Sequence, residues 1–333
     1  MRKKLFFATA LVIAFSTSAQ VLESDNYNSY TVGNVTNSMT TVGQGGMRVL
    51  SGTISDYKIV AGNASHGNYL QVTGGSDATD ASTRYVLKDN GLPWATRIAG
   101  NNIIKESLDI FTGTATNQHV SGVYILNSDY DGIIGIYYDS QSRSIIAGAR
   151  LNNNGQPGYY IFTITAATTQ YPANTWINVG CIYNKTTGEV MYKIGNVTYG
   201  PMTFTGLTTV SGLDPAFHVV QNTFTTGSTN AGPTTFGIDN YRVEASNDTT
   251  LGTSEIKVSK ASIIAIGPNP TADYLNILTD LKINKAEIFD MSGRKIDLRL
   301  DGNKIDVKSL NPGSYIINVE TKEGKTSSKF IKK

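Results

Sequence analysis

The stretch Trp176-Ile177-Asn178-Val179-Gly180-Cys181-Ile182-Tyr183, the turn Asn184-Lys185-Thr186-Thr187-Gly188 and the return Glu189-Val190-Met191-Tyr192-Lys193-Ile194 read together as a β-hairpin. Ile177, Val179, Cys181 and Tyr183 recur at a period of two, so one face of the hairpin is apolar and needs a second sheet to cover it. Gly195-Asn196 then offers a tight turn into Val197-Thr198-Tyr199. Cys181 is the only cysteine of the chain, which excludes an intramolecular disulfide. Its place on the apolar face marks it as a small core residue, not a nucleophile.

The same pattern continues outward in both directions. From Gln20 to Ala245 no helical period stands out. Short β runs begin at Tyr57, Tyr69, Arg84, Ile103, Ser121, Ile133, Ser144 and Tyr159, separated by Gly, Asn and Asp. Many short, evenly spaced strands in a chain of 333 residues predict an all-β, jelly-roll two-sheet sandwich. Phe236-Gly237-Ile238-Asp239-Asn240-Tyr241-Arg242-Val243 reads as its closing strand, and the shift of apolar phase after Ile238 predicts a bulge at Asp239-Asn240. The segment Tyr171-Pro172-Ala173-Asn174-Thr175-Trp176, the hairpin after it and the closing strand resemble laminin-G-like, concanavalin-A-like domains. That resemblance covers most of residues 58–245, and its family includes glycan-binding modules, adhesive domains and glycosidases.

A second module follows. Ile263-Ile264-Ala265-Ile266 leads into Gly267-Pro268-Asn269-Pro270 and Tyr274-Leu275-Asn276-Ile277. The prolines remove backbone donors on both sides of Asn269, so this segment is a strand entrance or a turn. Ser292-Gly293 and Asn311-Pro312-Gly313 mark further turns, Tyr315-Ile316-Ile317 re-enters a sheet, and the end is basic from Lys329 to Lys333. These elements resemble the type A C-terminal sorting domain of the Bacteroidetes type IX secretion system. The resemblance implies a small immunoglobulin-like β-sandwich with Pro268, Asn269, Pro270, Gly293, Gly313, Tyr315 and Lys329 as its sorting motif. It also implies an export address with the type IX machinery as partner.

The N-terminus agrees with export. Arg2, Lys3 and Lys4 precede an apolar run from Leu5 to Phe15, and Thr17-Ser18-Ala19 fits a cleavage site before Gln20. The expected organisation is a signal peptide over 1–19, the sandwich over 20–246, a linker over 247–262 and the sorting domain over 263–333. The expected location is extracellular or at the outer-membrane surface, after Sec export to the periplasm, with no transmembrane segment. In the linker, Asp248-Thr249-Thr250 resembles Bacteroidetes O-glycosylation acceptors.

Net charge is +2, but the basic residues concentrate in the signal and the sorting module, which leaves the middle net negative. With no basic stripe carrying interleaved aromatics, nucleic acid is not an expected partner. Catalysis by a glycosidase would need paired carboxylates. The nearest match, Glu106-Ser107-Leu108-Asp109, puts its acids on opposite strand faces, and Glu106 is expected on an outer face. His66, His119 and His218 have no partners at metal-ligand spacing. No catalytic residue is assigned.

Asn127, Asp129 and Asp131, with Gly132 next, resemble the opening of a calcium loop, though the twelfth position is Tyr138. Calcium is the one candidate cofactor; the alternative is a plain hairpin through Asp131-Gly132. For sugar binding the candidates are Trp94 in a loop, Tyr137 facing away from Ile134 and Ile136, Asn153, and Tyr159. Trp176 is expected to plug a sandwich edge. The favoured function is glycan binding by a non-catalytic, exported protein. The alternatives are an adhesive surface protein with a protein partner and a glycoside hydrolase.

Overall fold

A computed structural model describes residues 19–75, 83–114, 119–165, 169–224, 233–250, 256–258, 264–279, 281–322 and 324–333. Residues 1–18 of the expected signal peptide, residues 251–255 and 259–262 of the expected linker, and residue 263 lie outside these. The fold is all-β. A jelly-roll sandwich of two large sheets is followed by a smaller immunoglobulin-like sandwich.

The hairpin forms as expected: Trp176–Asn184 pairs antiparallel with Val190–Ile194, with Val179 opposite Ile194 and Tyr183 opposite Val190. In the first sheet its neighbours are Ile103–Phe111, then the closing strand Thr235–Ser246, then Asn68–Thr73 and Tyr57–Ala61. The closing strand slips register between Asp239 and Arg242, and Asn240 takes a left-handed φ of 50°. This is the bulge read from the phase shift. Gln20–Asp25 pairs with the far half of the same strand, so the residue after the expected cleavage site begins a sheet strand.

The second sheet runs through Gln156–Thr163, Ser144–Asn153, Gly132–Asp139, His119–Leu126, Phe217–Phe224, Arg84–Lys88 and Met47–Leu50. Ile134, Ile136 and Tyr138 turn into the space between the sheets and meet Val179, Cys181 and Tyr183 there. Burial of such side chains, at about 25 cal/mol per Å² of apolar surface, is the main stabilising term.

The C-terminal module has its own apolar core, with Ile266, Leu275, Ile277, Ile317, Val319 and Phe330 among its members. Tyr315 stacks on Phe330 at 5.5 Å and donates its hydroxyl to the Asn311 carbonyl. Pro268-Asn269-Pro270 sits between strands, as the prolines require. Asn269 is anchored there: its amide donates to the Lys329 carbonyl, and its Oδ1 accepts from the Ile331 amide. Gly293, at φ 81°, turns the chain at Asp290–Arg294, where its amide donates to the Asp290 carbonyl. Gly313 opens the Gly313–Thr321 strand.

Two links tie the modules together. Ala265–Gly267 pairs with Gln156–Thr163, with Ile161 opposite Ile266, so the module's strands extend the second sheet. Within the expected linker, Ile256–Val258 adds a parallel strand to the edge strand Val197–Tyr199. Asp248 accepts from Ser246, from the Thr250 amide and from Lys105 at 3.3 Å, which fixes Asp248-Thr249-Thr250 as a turn against the sandwich.

Candidate functional site

The outward face of the second sheet gathers more candidate residues than any other surface of the sandwich. Strand alternation sends Gly122 and Tyr124, Gly135 and Tyr137, Gly148 and Arg150 outward on three neighbouring strands. Register puts Gly122 opposite Tyr137, Tyr124 opposite Gly135, and Gly135 opposite Gly148. The result is a strip of glycines across the sheet on which tyrosine rings lie flat. A Cβ at Gly132 would stand 2.6 Å from the Tyr159 ring, and one at Gly135 would stand 2.6 Å from the Tyr159 hydroxyl. Here glycine is needed for close approach, not for φ.

The Tyr137 and Tyr159 hydroxyls meet at 2.7 Å. Burial raises both phenols well above their ordinary value, so they stay protonated at neutral pH and serve as hydrogen-bonding groups, not bases. Together with Tyr124 they floor a groove of about 260 Å³, walled by Gln221 and Thr223 on one side. At its far end on the same face Arg150 pairs with Asp131 at 2.8 Å, and Tyr130, 69% exposed, stacks on Phe217 at 5.2 Å.

The structure thus brings Tyr137 and Tyr159 together and separates them from Trp94. Trp94 is 3% exposed, its indole N–H donates to Asp214 at 2.7 Å, and Arg97 covers its ring. It is a buried anchor and not a platform, because a ring this large gains more from burial than from solvent. Asn153 lies at the end of its strand, opposite Gln156, where its side chain hydrogen-bonds Tyr160. Sequence reading missed Tyr124, Tyr130 and Phe217. Their shared two-residue phase with Tyr137 was the available signal for Tyr124, while Tyr130 was hidden inside the calcium-loop pattern.

That loop is a hairpin turn. The Asn127 Oδ1 accepts from the amides of Asp129 and Asp131, and Asp131 is held by Arg150. The left-handed residue is Tyr130, at φ 62°, and not the Asp131-Gly132 pair expected from the dipeptide. Among the described residues no group of three or more His, Cys, Asp or Glu is arranged to hold a metal. With two of the three proposed ligands already committed, a melt in calcium and in chelator should give the same midpoint. A calcium-dependent rise lost in Asp129→Ala would overturn this.

Two further clusters surprised the sequence reading. Glu106 points inward, at 1% exposure, and not to an outer face. It follows the phase of Ile104, Leu108 and Ile110, and the carboxylate is tolerated because the His218 Nε2 lies 2.7 Å away. The His218 Nδ1 lies 3.3 Å from Glu23, which also accepts from the Tyr241 hydroxyl at 2.9 Å. Cys181 lies in the core as expected; it donates weakly to Glu106, and burial pushes its thiol well up.

On the outer face of the first sheet, His66 stacks on Trp176 at 4.0 Å and lies 3.2 Å from Asp239. Trp176 therefore lies on a sheet surface and does not plug the edge, because its phase is opposite to that of Ile177. Asn178 and Asn240 hold Asp109 beside this pair, and the bulge aims Asp239 and Asn240 at it. The histidines' carboxylate partners come from strands far apart in the chain, which spacing cannot reveal.

Residues 265–333 match the secretion system C-terminal sorting domain. This module indicates export to the cell surface or the extracellular space and contact with the secretion machinery. Among the described residues no helix is long and apolar enough to cross a membrane. No curated protein matches the chain. Among solved structures the chain is similar to the binding domain of botulinum neurotoxin DC in complex with rat synaptotagmin II, at 10% identity, covering 91% of this chain and 74% of that one, TM-score 0.39. It is also similar to the catalytic domain of PdAgaC, at 10% identity over 71% and 94%, TM-score 0.42. Alginate lyase vAL-1 from Chlorella virus shows 9% identity over 68% and 100%, TM-score 0.42. At these values no activity or ligand carries over.

Proposed function

We propose that the protein, exported by the type IX secretion system, binds a carbohydrate chain without cleaving it, on the tyrosine-floored face of its laminin-G-like sandwich. The observation that carries this reading is Tyr159, half-buried and laid over Gly132, Gly135 and Gly148, with its hydroxyl paired to that of Tyr137, which is 2% exposed and serves as the floor beneath and not as a stacking face. Flat aromatic faces stack on pyranose rings, while Gln221, Thr223 and the phenols offer hydrogen bonds to sugar hydroxyls. Arg150 on this face is neutralised by Asp131, which favours an uncharged sugar. Cleavage is not part of the proposal. Glu106 is locked in the core against His218, and the groove's Asp139 carboxylate accepts from the Gln141 and Ser142 amides.

The test is binding to a glycan array and to polysaccharide affinity gels. The chain is assayed intact and after removal of the C-terminal module by cutting at a protease site placed within residues 251–255. Tyr159→Ala should weaken binding by roughly tenfold, the equivalent of about 1.4 kcal/mol of stacking and hydrogen bonding. Absence of glycan binding in both forms, or binding untouched by Tyr159→Ala, would sink the proposal.

A further inference from the structure

The second wall of the tyrosine groove is not part of the sandwich. It is made by Asn269, Pro270 and the last strand of the C-terminal module, at Ser327, Ser328, Lys329 and Ile331. A neighbouring cavity of about 390 Å³ repeats the arrangement, with Asp139 and Ser142 of the sandwich facing Phe289 and Lys329 of the module. Pairing of Ile161 with Ile266 fixes the module's position along the sheet, and the two bonds of Asn269 to the last strand hold that strand over the groove.

From this geometry we infer that the C-terminal module is a lid on the inner half of the sugar-binding face, and that its displacement opens that face. Three features favour a separable lid over a permanent core contact. The two modules have separate apolar cores, across which Leu278 of the module makes a partly buried contact. The strand pairing that joins them directly involves two residue pairs, beside the three made by the linker strand Ile256–Val258. The groove wall that the module supplies is mostly polar: an amide, two hydroxyls and an amine. Polar, limited interfaces within a chain are those that part. Burial in this contact lowers the Lys329 amine to about 7, with Asp139 opposing the shift, so closing the lid carries a desolvation cost.

The consequence for sugar binding rests on the proposed function; the closure itself does not, and the experiment separates the two. Gln221→Cys places a reporter thiol in the groove, against a background in which the native Cys181 is buried. Its rate of reaction with a polymer-linked maleimide is measured in the intact chain, in the intact chain carrying Lys329→Glu, and after the module has been cut away. Thr223→Cys serves as a second reporter where Gln221→Cys fails to fold. Labelling should be at least about tenfold slower in the intact chain than after removal, with Lys329→Glu in between. Equal rates before and after removal would overturn the lid, whatever the glycan result. Glycan binding that appears or strengthens roughly tenfold on removal would show that the lid controls the site. Equal glycan binding in both forms would overturn that control.

Discussion

His218→Ala should destabilise the sandwich by about 3–5 kcal/mol, because it leaves Glu106 and Glu23 as uncompensated charges between two sheets. His218 and Glu106 are 3% and 1% exposed, so water cannot replace the lost imidazolium. With about 2–4 °C per kcal/mol for a domain of this size, the melting midpoint should fall by roughly 6–20 °C. The measurement is thermal and urea unfolding of the full chain at neutral pH. A loss below about 1 kcal/mol would show that the carboxylates find other partners or take up protons. The triple replacement Glu23→Leu, His218→Phe, Glu106→Leu should recover most of the loss, since an apolar core of similar volume tolerates removal of the whole network.

The same network makes stability depend on pH in a defined window. Burial on its own lowers the His218 imidazolium, but Glu106 and then Glu23 outweigh it and raise the group to about 10. In the unfolded chain a histidine titrates near 6.5. The native state therefore holds one more proton than the unfolded state between about 6.5 and 10, and stability must fall as pH rises, by about 1.4 kcal/mol per unit. Below about 6.5 the contribution is fully present. Lys329 works in the opposite direction: lowered to about 7, it makes the native state the less protonated one up to its unfolded value near 10.4. The His218 contribution is thus read as wild type minus His218→Gln, from urea midpoints taken between pH 6 and 9.5. That difference should shrink steadily above pH 6.5. A difference constant across the range would mean that His218 is neutral in the core.

The Trp176–Ile194 hairpin, the bulge at Asp239-Asn240 and the turn chemistry of the C-terminal module were all legible in the residues. Each is a local statement: side-chain alternation, phase or backbone freedom decides it within a few positions. The sorting module was legible for the same reason, since its prolines and glycines fall where its turns do. The sequence also put Tyr137 on an outward face, because its phase is opposite to that of Ile136. What only the tertiary structure decided is which distant strands become neighbours. Glu106 lies inside because His218 and the N-terminal Glu23 arrive there from the other ends of the sandwich, and a carboxylate's tolerance in a core depends on its partner and not on its own neighbours in sequence. Trp94 is buried because Asp214 meets its indole nitrogen. Tyr137 and Tyr159 form one floor because Gly135 and Gly148 come into register on neighbouring strands beneath them, and that floor is half covered because the module's first strand pairs with the edge of the sheet.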